Sequence, residues 1–381
     1  MTSSIGDSIH LSLFGESHGP AIGVVIDGLA AGIPLDLDQL QAQMEKRRAK
    51  GRLSTARQEG DQVEIQSGFF QGHTTGSPLC LLIRNQQQHS RDYEATKTLL
   101  RPSHADFTAF EKYGGFQDYR GGGHFSGRIT APLVAAGAVM LQILAAKGIR
   151  VGTHIARCAG VDDRPFPSGE PQLTQAIAAL DQAPFPVLDR EQGDAMAAAI
   201  EAARLEGDSV GGVLETAVTG LPTGVGEPFF HSVESVLASL LFSVPAVKGV
   251  EFGLGFAMSD LRGSQANDPF QMDGGRIRTA TNHNGGINGG ITNGMPLLVR
   301  TAVKPTPSIY KPQQTVDYAR RENATLVIQG RHDPAIIHRA RVVVDSVVAF
   351  GLCDLCCRRF GTLWQLEGFP RAFDRGPDLG V

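Results

Sequence analysis

The side chains best suited to chemistry in this chain sit in glycine-bounded clusters. Gly15-Glu16-Ser17-His18-Gly19, Gly121-Gly122-Gly123-His124-Phe125-Ser126-Gly127-Arg128 and Gly330-Arg331-His332-Asp333-Pro334 each place polar groups where the backbone can approach a ligand closely. Imidazole titrates near neutral pH, so His18 is a candidate general acid, although a turn histidine bonded to backbone fits the local sequence equally well. Asp333 is a candidate proton carrier, and Asp before Pro is also how an ordinary helix begins. Arg101-Pro102-Ser103-His104-Ala105-Asp106 sets a guanidinium and an imidazole around a rigid proline. Arginines recur beside these stretches at Arg47, Arg52, Arg57, Arg101, Arg128 and Arg331. Their planar forks suit carboxylate and phosphate, so an anionic, phosphorylated small molecule is the expected ligand.

Several other chemistries are excluded by context. Gly15-x-Ser17-x-Gly19 has the spelling of a hydrolase nucleophile elbow, but that turn must lead at once into a helix. Here Pro20 and the strand-like Ala21-Ile22-Gly23-Val24-Val25-Ile26 follow. No dinucleotide or P-loop glycine fingerprint stands in the right context. Cys353, Cys356 and Cys357 lie on an apolar helical run with no second Cys/His pair at finger spacing, so they read as small core residues and no metal is expected. Five cysteines at irregular spacing argue for a reducing compartment. A net charge of −4 without long runs of one sign leaves no nucleic-acid footprint. The N-terminus lacks a basic-then-apolar leader, and the apolar stretch from Ala131 to Ala146 is shorter than a ~20-residue span, so a cytoplasmic protein with no membrane partner is expected. Of 381 residues 46 are glycine, well above the ~7% of average usage, and they gather near Arg, His, Ser and Asn, which marks tight turns more than linkers.

The elements that must position these groups alternate along one α/β (α+β) domain, with no Pro/Ser linker dividing it. Strands are expected at Ile9–Phe14, Ala21–Gly28, Val63–Phe70, Leu79–Ile83, Gly211–Gly220, Val250–Phe256 and Leu297–Val303. Asp36 with Gln39 starts a helix carrying Leu37, Leu40 and Met44, and Ser232 caps one that stops before Pro245. Thr130 is read as the cap of an almost wholly apolar helix to about Lys147, which must be buried on all sides. Asp333-Pro334 is read as opening the last long helix.

The order Gly15–Gly19, Arg101-Pro102-x-His104-Ala105-Asp106, Gly121–Arg128, the Gly285–Gly294 repeat, Lys304-Pro305 and Gly330–Pro334 resembles the chorismate synthases, from about Ile9 to Leu352. The resemblance implies a layered β-α-β sandwich over residues 1–357 with a C-terminal tail at 358–381. It also implies a homotetramer and a trans-1,4-elimination of phosphate from 5-enolpyruvylshikimate-3-phosphate to give chorismate. Reduced FMN is the implied cofactor, without net redox change, and NADPH is its reductant in some members. By the same resemblance His18 protonates the departing phosphate, His104 interacts with the reduced flavin, and Asp333 relays a proton with Ser17 and Ser126. Flavin contacts would come from His124, Phe125, Ser126, Pro245, Ala246, Gly289, Lys304, Pro305, Thr306, Pro307, Ser308 and Arg331. Arg47 and Arg52 match the family's NADP or anion contacts, and Arg101 and Arg128, with Arg331, its substrate clamps. Phe125 stands where the commoner motif has a hydroxyl, and Ser103 where it has glycine. The alternative from another class is an NADPH-dependent flavin reductase.

Overall fold

The computed structural model describes residues 3–48, 60–86, 97–328 and 332–369. Two five-stranded sheets, antiparallel throughout, face each other across a layer of helices. The first sheet runs Ser4–Ile5, His10–Gly15, Ala21–Asp27, Leu79–Arg84, Val63–Ser67, and the second Val247–Phe252, Leu297–Val303, Gly212–Thr219, Arg150–Cys158, Val161–Asp162. Alternation in Leu297–Val303 turns Leu297, Val299 and Val303 into the core, as a half-buried strand requires. This is the expected α+β sandwich, built from antiparallel sheets.

The middle layer is made by helix Thr130–Ala146, which packs on the first sheet, and helix Ile337–Phe360, which packs on the second. Neither has a polar face of any extent, because each is covered by a sheet on one side and by helix on the other. They touch at Gly137, where a Cβ would lie 2.1 Å from Cβ of Ser346. Glycine in a helix interior costs about 0.5–1 kcal/mol relative to alanine, and here the close crossing demands it. By length and apolarity alone Gly127–Ala146 could cross a membrane, longer than the sequence suggested, but two-thirds of that stretch is buried within the fold.

The helix caps are partly as expected. Asp36 accepts from Gln39 N at 2.9 Å, and Ser232 accepts from Ser235 N at 3.0 Å. Thr130 is not the cap. Its hydroxyl donates to Gly127 O at 2.7 Å, and the preceding turn Gly127–Ile129 is capped by Ser126 instead. Asp333 does not cap either, since the last helix begins at Ile337. That helix runs to Phe360, and Trp364 and Gln365 beyond it are buried, so the fold extends into the segment read as a tail.

Candidate active site

Two glycine loops close on each other at the end of the first sheet. Ser17 N donates to Gly123 O at 3.1 Å, and His124 Nδ1 donates to Gly15 O at 2.8 Å. Gly121 has φ +60° and lies so tightly on the first loop that a Cβ there would sit 2.6 Å from the His18 ring and 2.9 Å from Ser17 Oγ. Ser17 and His18 are 1% and 5% exposed. Among the described residues the Ser17 hydroxyl has no hydrogen-bond partner, a costly state for a buried group unless a ligand completes it. Asp118, beside this loop, is held below the usual carboxylate range first by its bond to Arg120, against partial burial, with the His18 charge adding to the effect.

The next open position in the glycine run leads to the second cluster. Gly122, at φ +83°, would point a Cβ to 3.9 Å from Ser126 and 4.0 Å from Arg101 Nη2, which leaves an open cradle between them. From Arg101 the loop continues to His104, whose Nδ1 donates to Pro102 O at 3.1 Å and whose Nε2 accepts from Ser308 Oγ at 3.0 Å. Burial, then the Arg101 charge, lowers the His104 pKa to about 4, so the ring is neutral at pH 7. Lys304 Nζ donates to Ser103 O at 2.9 Å, its own pKa lowered by burial and by Lys248. Lys304 N bonds Ala246 O at 2.9 Å, which brings in the Pro245-Ala246 turn. Ser308, Tyr310, His332 and Asp333 line one small crevice.

Ser17, His18, Ser126, Arg101, His104, Ser308, Lys304 and Ala246 are linked by close approaches between these loops. Phe125 is 44% exposed at its edge and meets Tyr113 edge-on, with ring centroids 6.0 Å apart. Gly289 is set apart: its hairpin is bonded to the first residue of helix Val233–Ser243, while Ala246 lies past the last. At 1.5 Å per residue those two ends are roughly 16 Å apart. Arg52 and Arg331 lie outside the described residues.

The arginines differ from open clamps. Arg101 is forked onto Asp106 at 2.8 and 2.7 Å. Arg47 and Arg128 share one carboxylate, Asp61, which is 4% exposed. Arg47 also ties to Thr130 Oγ1 and Gly127 O, and thus pins its helix to the glycine loop. Asp333 in turn is paired with Arg339. Sequence reasoning missed Asp61 and Asn85, a residue bonded to Arg128 and to the His18 loop. Neither stands in a glycine cluster, and nothing local marks a buried acid before its arginines are in view.

The residues present fit a flavin. The orphaned Ser17 hydroxyl, the Gly122 cradle between Ser126 and Arg101, and a neutral imidazole beside a lysine offer donors, acceptors and net positive charge to a polar, anionic cofactor.

A chorismate synthase family model matches residues 9–357. A chorismate synthase of Dehalococcoides mccartyi is 46% identical over 94% of this chain and 97% of its own length. One of Thermococcus kodakarensis is 45% identical over 93% and 97%, and one of Pyrococcus abyssi 46% over 95% and 99%. A crystal structure of a chorismate synthase superposes with a TM-score of 0.75 at 26% identity, covering 96% of this chain and 97% of that one. The chain belongs to the chorismate synthase family and is a lyase of the shikimate pathway, with the flavin cofactor that this family implies.

Proposed function

We propose that this surface converts 5-enolpyruvylshikimate-3-phosphate to chorismate with reduced FMN bound, and that its described residues divide the proton chemistry among them. The carrying observation is the closure of the Gly15–Gly19 loop on Gly121, which buries His18 and Ser17 together. His18 donates a proton to the departing phosphate oxygen, where expulsion of an anion from a buried site needs neutralisation. Asp333 carries the other proton away, with Ser17 and Ser126 as its relay. His104 stays neutral and is fixed at both nitrogens, so it presents a polar face without adding charge. A bound reduced flavin would supply transient electron density that eases departure of the allylic phosphate and would accept the C6 hydrogen, without net redox change. Lys304, Pro305, Thr306, Pro307 and Ser308, with His124, Phe125, Pro245 and Ala246, hold that group. Arg101, Arg128 and Arg47, although paired, bias the site towards phosphate and carboxylate, and Arg52, Arg331 and Gly289 complete the set that the family resemblance suggests. A cytoplasmic homotetramer accompanies this reading, and light scattering on the purified protein tests the assembly.

The deciding experiment is anaerobic turnover of 5-enolpyruvylshikimate-3-phosphate with dithionite-reduced FMN and no NADPH. Chorismate over many turnovers is expected. Folded, flavin-binding protein that makes none overturns the proposal. Repeating the assay aerobically with oxidised FMN and NADPH then shows whether the chain reduces its own cofactor.

A further inference from the structure

Asn85 follows strand Leu79–Arg84 and reaches across to the loop that carries Ser17 and His18. Its backbone N–H donates to Pro20 O at 3.1 Å. Its side-chain amide donates to Glu16 O at 3.1 Å and to Gly19 O at 2.8 Å, the carbonyls on either side of the Ser17-His18 pair. Its side-chain oxygen accepts from Arg128 Nε at 3.0 Å. Carbonyls only accept and a guanidinium only donates, so these partners fix which way the amide faces. Among the described residues the turn is also tied by Gly19 N to Glu16 O at 3.0 Å, by Ser17 N to Gly123 O at 3.1 Å and, at its first glycine, by His124 Nδ1 to Gly15 O at 2.8 Å. Arg128 is held by Asp61, and Asp61 by Arg47, so the Asn85 amide connects the turn to a buried polar cluster beside the site.

We infer that Asn85 is the positioning residue of the Ser17-His18 turn, buckling it to Arg128 so that the His18 ring is held against Gly121 at the angle from which it donates its proton. Its side chain reaches the turn's backbone carbonyls and Arg128, and acts on the reaction only through the loop it holds. The inference rests on the reading of His18 as the acid that serves the leaving phosphate.

The test is a double-mutant cycle of Asn85→Asp, His18→Ala and the combined variant, assayed anaerobically with reduced FMN. Asn85→Asp keeps the shape and the acceptor for Arg128 but faces a carboxylate oxygen at two carbonyl oxygens. It should lower kcat by about 10- to 100-fold, the cost of a misplaced reacting group. KM for the phosphorylated substrate, flavin affinity and the thermal midpoint should stay near wild type. The combined variant should be no slower than His18→Ala alone, because groups that act as a unit are non-additive. Wild-type kcat in Asn85→Asp, or a combined variant slower than His18→Ala by the full factor, overturns the inference and leaves His18 as the acid. Wild-type turnover in His18→Ala sinks the acid reading itself and this inference with it. If Asn85→Asp does not fold, Asn85→Ala takes its place in the cycle with the same expected pattern.

Discussion

Asp333 and His104 show how much a residue's neighbours decide its chemistry. Asp333 is buried beside Arg339 and lines the crevice with Ser308. Asp333→Ala should bind flavin yet lose turnover by about 100-fold or more, the usual scale for a lost proton-transfer group. Turnover close to wild type would remove it from the mechanism. For His104, an unfolded pKa near 6.5 falls to about 4 on folding, as it does for buried His338 next to Arg339. The unfolded chain then binds more protons below pH 6.5. Stability from these two groups is full above pH 6.5 and is lost as pH falls towards 4. Thermal midpoints should therefore drop between pH 6.5 and 4.5, and less so in His338→Phe; an equal drop in both would assign the loss elsewhere. The Asp61 carboxylate belongs to the same scale. Asp61→Asn leaves Arg47 and Arg128 facing each other in a buried setting, and removing one partner of such a pair costs about 3–5 kcal/mol. Denaturant unfolding that shows less than a 1 kcal/mol change, an order-of-magnitude threshold, would mean that water already screens the pair. His18, His104 and Asp333 were legible as candidates in the sequence because glycine and proline framed them. The charge state of His104 and the occupied forks of Arg47, Arg101 and Arg128 were not, since they depend on Asp61, Asp106 and burial, which appear only once the chain is folded.

At the scale of elements, the sequence revealed periodicity well and termini less well. The apolar run after Thr130 was legible as a buried helix, and Leu297–Val303 as a strand, because burial on all sides and alternation leave plain patterns. The start of the last helix was misread at Asp333-Pro334 because the Asp-Pro pair imitates a cap, while the carboxylate in fact goes to Arg339. The glycine loop was legible as a turn, but not its contact with His18. Gly121→Ala tests that contact: the added Cβ meets the His18 ring at 2.6 Å in a left-handed backbone, so the loop must shift. The expected result is a fall in turnover of about 100-fold with the helical core intact by circular dichroism. An unchanged rate would show that the loop yields at no cost to His18.

The whole molecule is closed by its two ends. The Asp354 carboxylate on the last helix accepts from the backbone N–H groups of Ser8 at 2.7 Å and Ile9 at 2.8 Å, and also from Asp7. Gln365 bonds Ala30 N and Gly28 O, and Lys147 sits 4.6 Å from the Trp364 ring centroid while donating to Gln365 O and Glu367 O. Asp354→Ala strands buried donors at the N-terminal strand and should cost about 3 kcal/mol in equilibrium unfolding, with a loss under about 1 kcal/mol arguing that water replaces the carboxylate. The layered sandwich itself was legible through the resemblance of ordered motifs; this clasp was not, because it joins residues 345 positions apart.

That clasp also bears on how the chain folds. The helix Ile337–Phe360 is the last long helix among the described residues, yet it is the one against which the second sheet, the Thr130–Ala146 helix and the backbone at Ile9 are all seated. Until it docks, the inward face of the second sheet has no complete partner, and closing a loop of that length costs entropy before any contact repays it. Full cover of the second sheet therefore waits on residues 337–360, and folding intermediates that lack this helix expose apolar surface.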